Sequence, residues 1–137
     1  MLSMKVQDSP SNGPISPKEE RVVATVGFGG AGLAGGLTIN VTNDFAKAIT
    51  GALLAMESDQ VPDTADVNDV MGELANVIGG NCLAAFSDQG YTCTLSLPCV
   101  TRGIALHTET VRGAKRECVA FQHGQDRFYI GLDLKVA

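Results

Sequence analysis

The sequence predicts an α+β domain: a mostly antiparallel sheet with two main helices packed on it, one of them long and carrying a polar motif. Three observations carry this. β-Branched runs at 21–26 and 37–41 precede two helical stretches, and a series of strand-like runs follows them. The later runs are separated by turns too short for a crossover, so their neighbours are antiparallel. The longer helical stretch has an apolar stripe, as a helix laid on a sheet requires.

The elements follow in order. Residues 1–20, with Pro10, Pro14 and Pro17 among Ser, Asn and Gly, read as a flexible leader, and 21–137 as one domain. A chain of 137 residues with 45% hydrophobic content suits a single core. Residues 21–26 read as a strand. Gly27-Phe28-Gly29-Gly30-Ala31-Gly32 formally matches the dinucleotide fingerprint G-x-G-x-x-G. That motif needs a helix N-terminus after its last glycine to hold the pyrophosphate. Here another strand, 37–41, follows, so the glycines read as a hairpin with positive-φ turns and close backbone packing.

Thr42 or Asn43 is the expected cap of a helix reaching about Glu57. After a loop holding Pro62, Thr64 or Asp66 is the expected cap of the long helix, which runs to Ala85 or Phe86. Gly79 and Gly80 lie inside it, each at a cost of roughly 1 kcal/mol against Ala, which points to a close backbone contact or a kink. Strands are expected over 91–97, 104–111, 117–123 and 128–134, with turns at Arg112-Gly113 and Gly124-Gln125. Pro98 suits a strand edge or end, because it has no N–H to give to a ladder.

Bulk properties exclude several classes. A formal net charge of −5 argues against nucleic acid as a partner, since phosphate binding needs clustered Lys and Arg. Arg112, Lys115 and Arg116 form a basic cluster that reads as a solvated turn. No apolar run approaches the roughly 18 residues of a membrane span, and no secretory signal is recognisable, so a cytoplasmic location is expected. Cys82, Cys93, Cys99 and Cys118 form no Cys-x-x-Cys pair and read as reduced, packed thiols; His107 and His123 lack ligand spacing. No metal or cofactor is expected on this chain.

The chemistry concentrates between 69 and 81. Asp69, Glu73 and Asn76, at i, i+4 and i+7, stack on one side of a helix over two turns. Val70, Leu74, Val77 and Ile78 lie on another face as the expected anchor in the core. Carboxylates accept only, whereas an amide donates and accepts. Held rigid, such a stripe grips a cation and positions a water. An ordinary solvated helix face has the same spacing, so the residues alone leave both readings open.

Asp-x3-Glu-x2-Asn on a helix, with Pro98 a little over twenty residues on, resembles the signature of the CheC/CheX/FliY chemotaxis phosphatases. The Gly-rich strand pair ahead of the first helix, the helix with Phe45 and Ile49, and Leu97-Pro98 followed by Gly103 resemble the same family, over roughly residues 21 to 135. A single motif is closest to the CheX-like branch. The resemblance implies a CheC-like fold and hydrolysis of the aspartyl phosphate on a CheY-like response regulator. It makes Asn76 the residue that places the water, Glu73 the partner of the regulator's Lys, and Asp69 and Pro98 supporting residues. It puts Mg²⁺ on the regulator and implies a homodimer. It also implies an amphipathic helix before the first strand, for which the prolines leave little room. A non-catalytic adaptor on the same fold is the alternative reading.

Overall fold

Strands β2 (Glu20–Gly30) and β3 (Leu33–Thr42) form a long antiparallel hairpin whose alternation decides the rest of the molecule. Val22, Ala24, Val26 and Phe28 of β2 and Leu37, Ile39 and Val41 of β3 share one face and are buried in the core. The computed structural model describes residues 7–8, 20–57, 60–104, 114–123 and 126–136. Among these residues the sheet has seven strands, the hairpin included. Its order is β1 (Gln7–Asp8), β6 (Lys115–His123), β7 (Asp126–Val136), β3 and β2, with β4 (Cys93–Leu95) and β5 (Cys99–Ile104) both paired to the outer edge of β2. Every pairing is antiparallel.

The glycines of β2 and β3 differ from expectation. Gly27 to Gly30 belong to the strand, and the turn falls at Ala31–Gly32 without a positive φ. The reason is proximity of backbone, not handedness. A Cβ on Gly30 would collide with the Thr92 carbonyl oxygen, and one on Gly35 with that of Asp133. Since β3 follows the last glycine directly, no helix N-terminus is there to bind a pyrophosphate.

Helix α1 (Asn43–Leu53) is capped by Thr42, whose Oγ1 accepts from the Phe45 N–H at 3.1 Å. Phe45, Ala46, Ile49 and Thr50 are buried, and the Thr50 hydroxyl is satisfied by the Ala46 carbonyl at 2.8 Å. The helix stops short of Glu57, at a turn where Ala55 takes a left-handed conformation. Helix α2 (Thr64–Asp88) is capped by Asp63, which precedes both expected caps, Thr64 and Asp66; its Oδ1 accepts from the Asp66 N–H at 2.8 Å. It runs unbroken through Gly79–Gly80 to Asp88, and Gly90 just beyond the cap takes a φ of +91°.

Val67, Met71 and Ala75 are the fully buried anchors of α2, with Val70, Leu74 and Ile78 half-buried beside them. Val77, expected among the anchors, is 52% exposed. Aromatic contacts tie the layers together. Phe28 meets Phe86 edge-on at 5.3 Å, and Phe128 stands between Phe45 at 5.0 Å and Phe121 at 5.2 Å.

The expected strand at 91–97 is shorter, and a second strand that the sequence did not announce, β5, follows it. β6 and β7 extend past both ends expected for them or start earlier, at Lys115 and Asp126. The segment 105–111, the turns at Arg112-Gly113 and Gly124-Gln125, and His107 lie outside the described residues. So does the expected leader, apart from Gln7–Asp8, which pair with Gln122 and Phe121, and Glu20, which opens β2.

Candidate functional site

The position of α2 on the sheet is set by two glycines. A Cβ on Gly72 would lie 3.6 Å from both Pro98 Cγ and Val100 Cγ2, and one on Gly79 only 2.9 Å from Val26 Cγ2 and 3.0 Å from Leu95 Cδ1. Without side chains at these two positions, the helix axis comes close to β2, β4 and β5. Gly72, Asn76 and Gly79 are spaced i, i+4, i+7, so Asn76 belongs to the same row and sits between the two contacts.

Asp69 and Glu73 of the expected stripe lie on the outer side of α2, and Asn76 sits where that side meets the glycine row. Asp69 and Glu73 are exposed and Asn76 is partly exposed. Among the described residues none of the three side chains makes a hydrogen bond or ion pair. The stripe lies on a helix surface. The open recess of about 190 Å³ at the start of α1, lined by Glu20, Thr42, Asn43 and Asp44, is elsewhere. Pro98, the fourth expected residue, is half-buried against Gly72. It therefore acts as a spacer between strand and helix, one turn before Asn76.

Two features at the site were not read from the sequence. Between the pairs Phe28–Leu95 and Thr25–Cys99, β2 contributes two residues, Val26 and Gly27, while the facing chain contributes three, Ser96, Leu97 and Pro98. That extra residue is a bulge. Ser96 pins it, donating from its N–H to the Gly27 carbonyl at 2.9 Å and accepting from the Gly27 N–H on Oγ at 2.7 Å. The other feature is Arg102 of β5, which donates from Nε to Asn68 Oδ1 at 3.0 Å and from Nη1 to Asn43 Oδ1 at 2.7 Å. One guanidinium thereby joins β5 to the first turns of both helices.

Among the described residues no group of three His, Cys, Asp or Glu is arranged to share a metal ion, and no helix is long and apolar enough to cross a membrane. The four cysteines are free thiols.

The described residues form an antiparallel sheet carrying two helices, the longer of which displays a carboxylate–amide stripe beside a bulged edge strand, and that stripe is the candidate site. The model of the chemotaxis phosphatase CheX family matches residues 22–122, and the chain belongs to that family. Solved structures share the fold. CheX from Vibrio vulnificus superposes with a TM-score of 0.81 at 18% identity, over 98% of this chain and 86% of that one. A CheC-like protein from Shewanella oneidensis gives 0.74 at 19%, over 96% and 82%. A CheX–CheY–BeF₃–Mg²⁺ complex from Borrelia burgdorferi gives 0.76 at 18%, over 98% and 88%. No curated protein matches the chain.

Proposed function

We propose that this chain hydrolyses the aspartyl phosphate of a CheY-like response regulator, with Asn76 placing the attacking water. The observation that carries the reading is the joint accessibility of Glu73 and Asn76 one turn apart on α2, with no side-chain partner among the described residues. Family membership and the relative seen with CheY, BeF₃ and Mg²⁺ support it.

The chemistry asks little of the phosphatase beyond position. The water oxygen attacks phosphorus, the bond from phosphorus to the aspartyl oxygen breaks, and the water's proton ends on the released phosphate. A carboxylate leaving group needs no general acid. What remains is to hold a water in line with the departing oxygen. The Asn76 Oδ1 accepts a hydrogen bond from that water and brings no negative charge towards the phosphoryl oxygens. Glu73, one turn earlier, pairs with the regulator's Lys and fixes the helix on its surface. Asp69 supports the N-terminal end of the stripe, and Pro98 sets the height of the helix over β5.

In this reading Mg²⁺ belongs to the regulator's acidic pocket, so any metal dependence follows that protein's affinity. A cytoplasmic setting and a homodimer belong to the same proposal. Val119 and Val136, 45% and 58% exposed on the sheet face that carries the helices, support the dimer, which sedimentation tests.

The decisive experiment follows the decay of a phosphorylated response regulator with and without this protein. The wild type accelerates it, and Asn76→Ala lowers that acceleration on the order of 10²-fold. An unchanged rate in Asn76→Ala overturns the mechanism. Complex formation without faster decay would make the chain an adaptor.

A further inference from the structure

The bulge at 96–98 changes which side chains face the helix. Leu95 points inward and packs at Gly79, so strict alternation would turn Leu97 inward as well. With one extra residue in the strand, Pro98 and Val100 turn inward instead, both onto Gly72. Leu97 is expelled and stands 89% exposed, the most exposed large hydrophobic side chain among the described residues.

Its place is fixed on both sides. Leu95 marks the level of Gly79 and Pro98 the level of Gly72, and Asn76 lies between those two glycines on the same row of α2. Leu97 is therefore at about the level of Asn76 along α2, on the edge segment paired to β2. Val77, 52% exposed, lies about 100° round the helix from Asn76. The backbone under Leu97 is not free to collapse. Ser96 is doubly bonded to Gly27, its Oγ also donates to the Leu97 carbonyl at 3.2 Å, and Pro98 locks the following φ.

We infer that Leu97 is a preorganised docking knob that seats in an apolar recess beside the phosphorylation pocket of the response regulator, and so sets affinity for that partner while Asn76 sets the rate. The inference rests on the regulator being the partner of this site. A bulge that re-aims a side chain beside a functional surface is a recurrent device. An apolar anchor held rigid before binding loses little entropy on docking. Its level along α2, between the contacts that flank Asn76, is the reason it is assigned to the same partner.

The test uses the full chain and a regulator loaded with beryllofluoride and Mg²⁺, so that affinity is read without hydrolysis. Leu97→Ser weakens binding about tenfold and raises KM for the phosphorylated regulator in step, while kcat stays within about twofold and the thermal midpoint is unchanged. Leu97→Met keeps wild-type affinity. Asn76→Ala shows the converse, lost kcat at retained affinity. Equal affinity of wild type and Leu97→Ser overturns the knob. If the wild type binds the loaded regulator without speeding decay, and Leu97→Ser still weakens binding, the knob stands and the phosphatase reading fails.

Discussion

Arg102 on β5 holds Asn68 on α2 by a 3.0 Å hydrogen bond from its Nε, one residue before the first carboxylate of the stripe. The same fork reaches Asn43 at the start of α1, and its Nη2 is buried without a partner. Two amides on two helices thus share one planar donor, which a point-charge ammonium does not reproduce. Arg102→Lys is expected to lose about 1–3 kcal/mol of unfolding free energy, read from urea melts at constant slope. A midpoint equal to wild type would show that packing alone places α2.

Much of this fold is written in local patterns. The β-branched alternation of 21–26 and 37–41 and the polar stripe at 69, 73 and 76 recur as expected, because each depends on periodicity within one element. What was hidden depends on contacts far apart in sequence. The extension of β2 through Gly27–Gly30 is decided by Thr92 and Asp133, and the bulge at Leu97 by its register against Val26–Gly27. Asp63 took the cap of α2 because its carboxylate meets the Asp66 N–H, a contest among neighbouring Asp and Thr that spacing does not settle. The end of α1 was misplaced because the residue in the left-handed position is Ala55, which gives no stop signal.

Ala55 supports a stability prediction. Met56 N–H donates to the Gly51 carbonyl at 3.0 Å and Ala55 N–H to Ala52 at 3.4 Å, the paired bonds of a Schellman end. The end of α2 repeats it with Tyr91 to Phe86 and Gly90 to Ser87, but there a glycine holds the left-handed position. At φ 51° Ala55 pays a Cβ penalty that glycine avoids. Ala55→Gly is expected to stabilise the protein by up to about 1 kcal/mol despite the added chain entropy. Gly90→Ala is expected to destabilise it by a similar amount. Thermal melts of both variants check the pair.

Gly79 and Gly80 are adjacent in α2 and should respond oppositely. A Cβ on Gly80 meets nothing within 4 Å, so Gly80→Ala gains helix propensity, about 1 kcal/mol. A Cβ on Gly79 is forced onto Val26 and Leu95, and the overpacking cost of about 1–3 kcal/mol outweighs the same gain. Chemical denaturation of the two single variants should therefore move in opposite directions. Gly79→Ala should also slow dephosphorylation, since it lifts Asn76 away from Leu97; equal activity in both variants would sever that link.

Burial pushes the Cys82 thiol up, whereas Cys99 and Cys118 are exposed. A thiol-specific reagent near pH 8 should modify Cys99 and Cys118 before Cys82, as mass spectrometry of the partly labelled protein would show. The sign for stability follows from linkage. A folded-state pKa above the unfolded value of about 8.5 favours the protonated form of the folded chain. The contribution is present below that unfolded value and is lost as pH rises through the higher, folded one. Cys82→Ala should remove that part of the alkaline decline in denaturation midpoint.

Asn76→Asp separates two mechanisms that Asn76→Ala does not. The carboxylate has nearly the shape of the amide and also accepts a hydrogen bond from water, so a general-base mechanism would tolerate it and acquire a new acidic limb in its pH profile. A mechanism of neutral positioning does not tolerate it, because the new charge lies against the phosphoryl oxygens and the regulator's acidic pocket, where two like charges about 4 Å apart repel by several kcal/mol at an intermediate dielectric. The helix itself should be unaffected, since position 76 is partly exposed and makes no side-chain bond among the described residues that the substitution breaks. The expected outcome is a loss of acceleration at least as large as that of Asn76→Ala, on the order of 10²-fold or more, with no recovery between pH 6 and 8. Recovery of activity with rising pH in Asn76→Asp would assign position 76 to proton transfer instead.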